Sequence, residues 1–75
     1  MPVEPNLKTI VGTVSARLKQ KDGLDQHRTR MMGTAMAAAD QLRRTGTVSQ
    51  ITAQTLVDDT AIYDALVTAA VGRAA

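Results

Sequence analysis

A chain whose only aromatic residue is Tyr63, and which contains no cysteine, phenylalanine or tryptophan, has to close its interior with Leu, Ile, Val, Met and above all Ala. Small side chains fill a core only where backbones approach closely, and alanine carries the best intrinsic helix propensity. An all-α fold is therefore expected. At 75 residues, apolar burial and lost conformational entropy roughly cancel. Without cysteine there is no disulfide framework and no thiolate metal site to add to the balance. Helix packing and self-association remain, so a homo-oligomer is expected.

Met1 to Pro5 holds two prolines and reads as an extended lead-in to a single helical domain over residues 6–75. A first helix is expected over about 6–21, with Asn6 as N-cap and Leu7, Ile10, Val11, Val14 and Leu18 on one face. Lys21, Asp22 and Gly23 end it, the glycine being able to take the left-handed closing conformation. A second helix is expected over about 25–44, capped by Asp25. Met31, Ala35, Ala38 and Leu42 form its inner stripe, widened by Met32, Met36 and Ala39. An arc this broad suits a helix packed against several neighbours, with the methionines filling core. Gly33 with Ala37 offers a close-packing surface to a second chain. Arg43 and Arg44 complement the negative end of the helix dipole, and Gly46 closes the helix.

Two short helices follow, over about 48–56 and 59–72, the first capped by Thr47 or Ser49 and holding Val48, Ile51 and Leu56. If Asp58 caps the second, Val57 and Ile62 stand where a hydrophobic staple fixes the angle at which the chain joins a helix. Asp59 then stabilises the helix dipole from the first turn, and Ile62, Ala65, Leu66, Ala69 and Ala70 face inward. The expected architecture is a small four-helix bundle whose C-terminal half is helix-turn-helix-like.

The run from Thr47 to Tyr63, TVSQITAQTLVDDTAIY, resembles the helix-turn-helix of TetR-type repressors. Val48, Ile51, Val57, Ile62 and Tyr63 match that pattern without a gap, while the turn position that the family fills with glycine is Leu56 here. The preceding AAADQLRRTG is similar to the alanine-rich helix before the motif in plasmid KfrA-type proteins. The resemblance covers about Arg28 to Leu66. It implies a DNA-binding domain whose recognition helix begins near Asp58 and presents Thr60, Tyr63 and Asp64, with Arg43, Arg44, Thr47, Ser49 and Gln50 as candidates for phosphate contacts.

Charge divides the two halves: the first part of the chain can offer a basic surface, whereas Asp58 and Asp59 at the start of the recognition helix oppose contact with phosphate. With the modest net charge, they favour a protein partner over DNA. The net charge is only +2, but eight of nine basic residues (Lys8, Arg17, Lys19, Lys21, Arg28, Arg30, Arg43 and Arg44) precede Thr47, while Asp58, Asp59 and Asp64 follow it. No apolar run approaches the ~20 residues that cross a bilayer, and the N-terminus lacks the apolar core of a secretory signal. No membrane association is expected, and the cytoplasm is the expected location. Catalysis is not expected: His27, read as an exposed first-turn histidine, has no second histidine or cysteine at ligand spacing, and the glycines are isolated. No metal, cofactor or catalytic residue is assigned. The expected function is double-stranded DNA binding by a dimeric transcriptional or replication regulator of plasmid or phage type. The alternative is a helical interaction or assembly protein, a virion component or inhibitor, that meets another protein instead of DNA.

Overall fold

The computed structural model describes residues 3–74, with side chains through residue 72; Met1 and Pro2 of the expected lead-in lie outside the described residues. The described chain is all-α, built from α1 (Leu7–Leu18), α2 (Gly23–Thr45) and α3 (Gln50–Ala74). It has three helices, not four. The helices run up, down and up, and α3 is the element against which both others pack. At 1.5 Å per residue the α2–α3 hairpin is about 35 Å long and α1 only about 18 Å. One half of the hairpin is thus covered by a third helix and the other half is not. The result is a rod of 44 × 22 × 19 Å.

The correction concerns residues 56–58. Leu56, Val57, Asp58 and Asp59 lie in unbroken helix inside α3, so there is no corner, no cap at Asp58 and no staple between Val57 and Ile62. Both aspartates are occupied by tertiary partners. Asp58 Oδ1 accepts the Asn6 backbone N–H at 2.9 Å and the Gln54 side-chain amide at 2.9 Å, which seats the start of α1 on the middle of α3. Asp59 faces α2 and is buried. Leu56 also avoids the left-handed conformation that its Cβ disfavours; among the described residues only Gly46 has a positive φ.

Asn6 caps α1, its Oδ1 accepting the Thr9 backbone N–H at 3.3 Å. Ile10 is buried with Ile62 and Leu66, surrounded by Val14, Leu18, Leu24 and Ala61. Leu7 and Val11, expected on the inner face, are instead mostly exposed. Gly46 closes α2 in the left-handed conformation (φ 77°), its N–H bonding to the Leu42 carbonyl at 2.8 Å.

The corner between α1 and α2 differs from expectation. Gly23 is the first residue of α2, with Asp22 before it, and Asp25 lies in the first turn instead of capping the helix. Glycine is required at position 23 by proximity, not by dihedral angle: a Cβ there would collide with the Arg17 carbonyl oxygen.

The inner face of α2 is rotated from the expected stripe. Ala38 is buried as anticipated, but its companions are His27, fully buried, and the half-buried Met31, Thr34 and Gln41. Ala35, Ala39, Met32, Met36 and Leu42, read as core-facing, are exposed. A stripe at 27, 31, 34, 38 and 41 keeps helical spacing, and its polar members His27, Thr34 and Gln41 each find a partner across the α2–α3 interface.

Candidate functional site

The residues proposed for DNA contact fall into two groups. Arg43, Arg44, Thr47, Ser49 and Gln50 cluster at the end of the hairpin. Arg43 and Arg44 both reach Asp40, at 3.0 and 3.2 Å, so each guanidinium already faces a carboxylate on its own helix. Thr47 is folded into the turn, its backbone N–H donating to Thr45 Oγ1 at 3.3 Å while its carbonyl accepts the Thr45 hydroxyl at 2.9 Å. Ser49 caps α3 through its Oγ, which accepts the Thr52 backbone N–H at 3.2 Å. The Ser49 N–H donates to Gln41 Oε1 at 2.9 Å, and Gln41 in turn donates to Thr52 Oγ1 at 2.8 Å. Gln50 is the exposed first residue of α3.

Thr60, Tyr63 and Asp64 form the second group, about 15 Å or more along α3 from Gln50 at the helical rise. Thr60 returns its hydroxyl to the Leu56 carbonyl at 2.7 Å and shares a shallow groove with Leu56, Val57, Ala61 and Asp64. Tyr63 is half-buried. The two groups are spread over the last turn of α2, the turn that follows and the continuous helix α3, with no corner inside α3 to separate a supporting from a recognition helix.

His27 and Asp59 form a polar centre that the sequence did not reveal. His27 Nε2 lies 2.7 Å from the Asp59 main-chain oxygen. A carbonyl only accepts, so Nε2 carries the hydrogen, and Nδ1 is buried without a protein partner. The Asp59 carboxylate accepts the Thr34 hydroxyl at 3.0 Å and stands 3.5 Å from Arg30 Nε. One helix turn of α3 is thereby tied to two turns of α2. The signal for a buried His27 was present in its spacing, seven residues before Thr34 and eleven before Ala38. His27 and Thr34 meet Asp59 across a packed interface, while Arg30 and Asp59 also line a groove beside α1 with Thr9, Thr13, Arg17, Thr55, Asp58 and Ile62; among the described residues no three acidic or histidine side chains converge as a metal site.

What the fold leaves open is apolar. Among the described residues Leu7, Val11, Met32, Met36, Leu42, Ile51 and Val71 are all more than half exposed, whereas the buried apolar side chains are Ile10, Ala38, Ile62 and Leu66. Met36 (70% exposed) lines a shallow groove on α2 with Ala37, Ala39, Asp40 and Arg43. Single exposed aliphatics are ordinary in soluble proteins, but large side chains gathered on one helix face mark a contact surface. No helix among the described residues is long and apolar enough to cross a membrane. In comparisons with family models, with curated proteins and with solved structures, nothing matches this chain.

Proposed function

We propose that this chain is a helical interaction module that works by presenting the outer face of α2 to another protein. The observation that carries this reading is the exposure of Met32 and Met36, one turn apart on the side of α2 opposite His27, Thr34 and Ala38. Methionine is unbranched and polarizable, and it adapts to a partner's surface at little cost in strain. A core with so few buried aliphatics gains from covering this face.

The test is site-specific photo-crosslinking in the cells that make the protein, with a photoreactive residue in place of Met36 and, as control, in place of the exposed Lys19. Protein adducts concentrated at position 36 support the reading; equal yields at the two positions overturn it.

A second reading, binding to double-stranded DNA, is favoured by the concentration of basic residues in α1 and α2. The basic side chains of α1 and α2, not a recognition helix, would then make the contacts. Anisotropy of labelled duplex at two salt concentrations tests it: phosphate neutralisation makes affinity fall steeply as salt rises.

A further inference from the structure

The outer face of α2 has a register. Asp25, Thr29, Met32, Met36, Ala39 and Arg43 follow one another at alternating steps of four and three residues, the spacing of a coiled-coil seam, and Met32 and Met36 stand at its centre. Every one of these side chains except the small Ala39 and Thr29 reaches well into solvent, and all six lie on exposed positions of the helix. The seam is apolar in the middle and oppositely charged at its ends.

We infer that this face binds a second copy of the same chain, with the two α2 helices antiparallel about a two-fold axis level with Thr34. The inference rests on the interaction-module reading and names its partner. The argument is charge complementarity at a fixed register. In an antiparallel pair, positions whose numbers add to 68 lie opposite each other: Met32 meets Met36 of the other copy, Thr29 meets Ala39, and Asp25 meets Arg43. Each copy supplies both members of every pair, so the contact is closed and self-complementary, as a two-fold interface must be. A parallel pairing would instead set Asp25 on Asp25 and Arg43 on Arg43. In the single chain Asp25 pairs with Arg28 at 2.7 Å and Arg43 with Asp40 at 3.0 Å, both exposed pairs of modest worth. The contact across copies therefore competes with little. Thr34 itself faces α3, so the symmetry axis passes behind it and no core residue has to move.

Two experiments on the purified full chain test the register. The chain has no cysteine, so a Met32→Cys variant and a Met36→Cys variant each carry one thiol at an exposed site. Mixed and oxidised, they join into a covalent heterodimer in higher yield than either variant alone; equal or higher yield from each variant by itself indicates a parallel or unrelated contact and overturns the proposal. In sedimentation equilibrium, Asp25→Arg and Arg43→Asp each weaken self-association by about tenfold, and the double variant restores it, with helix content followed by circular dichroism in all three. Failure of the double variant to recover also overturns the register. A chain that sediments as a monomer at every concentration overturns the second-copy partner altogether. If adducts at position 36 in cells then hold a different protein, the interaction-module reading stands without this partner; if position 36 gives no excess over position 19, both fall.

Discussion

The imidazole of His27 donates from Nε2 to the main-chain oxygen of Asp59 at 2.7 Å, across a helix interface that leaves the histidine no exposed surface. A mid-helix carbonyl has two lone pairs, so it can accept this bond while keeping its place in the α3 ladder. The bond fixes how far α2 is slid along α3, because the same turn of α3 also receives Thr34 through the Asp59 carboxylate.

Truncating this histidine separates packing from hydrogen bonding. His27→Ala loses the bond and leaves a void, with an expected cost of about 2–4 kcal/mol, enough to unfold much of a chain this small. His27→Leu refills the space and removes Nδ1, which is buried without a partner, along with the Nε2 bond. Removing a satisfied and an unsatisfied group together is close to neutral, so a change within about 1 kcal/mol is expected. Urea unfolding followed by circular dichroism gives both values; comparable losses for the two variants would show that the bond, not the volume, dominates.

Glycine substitutions should split by neighbourhood. Gly23→Ala drives a Cβ toward the Arg17 carbonyl, a backbone atom that cannot rotate away, so the α1–α2 corner must open, at about 1–3 kcal/mol. Gly33→Ala meets nothing within 4 Å in the interior of α2 and should gain roughly 0.5–1 kcal/mol through helix propensity. Thermal midpoints that fall for the first and rise for the second bear this out; a rise for both would place the corner elsewhere.

Asp58 holds the beginning of α1. Its Oδ1 accepts from the Asn6 amide, and Gln54, which shares that oxygen, also donates to the Glu4 carbonyl at 2.8 Å. Asp58→Ala should free the Asn6 amide while water replaces part of the lost bond, costing about 0.5–1.5 kcal/mol. The local reading is hydrogen exchange: the Asn6 amide should exchange faster while amides in the middle of α2 keep their protection. Unchanged exchange at Asn6 would mean that Asp58 does not anchor α1.

Much of the architecture could be read from local chemistry, and the rest could not for a stated reason. The caps at Asn6 and Gly46 depend on atoms within a few residues, and the structure has both. The inward placement of Ile10, Ile62 and Leu66 follows from period and aliphatic character alone. Val57, Asp58 and Asp59, by contrast, make a good local start signal for a helix, and what overrides it is long-range: Asn6 on Asp58, and Thr34 and Arg30 on Asp59. His27 reads as an exposed first-turn residue, and a stripe drawn through apolar side chains alone falls on Ala35 and Leu42 and passes over Thr34. Polar residues that satisfy one another across an interface are invisible to a pattern of hydrophobicity. The same misassignment hid the exposed Met32 and Met36, the feature that now carries the functional reading.

The continuity of α3 is testable at one residue. Leu56 occupies the position that a helix-turn-helix fills with glycine, and here it is half-buried within an unbroken helix. If the chain turned at this point, Leu56→Gly would relieve a disfavoured left-handed backbone and stabilise the protein. In a continuous α3 the same change removes a partly buried aliphatic side chain and adds a flexible residue to a helix interior, where glycine costs about 1 kcal/mol relative to alanine. With the lost apolar contact the expected destabilisation is about 1.5–3 kcal/mol. The two arrangements differ in the sign of the effect, so a single urea titration of this variant separates them: a lower midpoint agrees with the uninterrupted helix, and a higher one would restore the turn and, with it, a recognition helix beginning near Asp58.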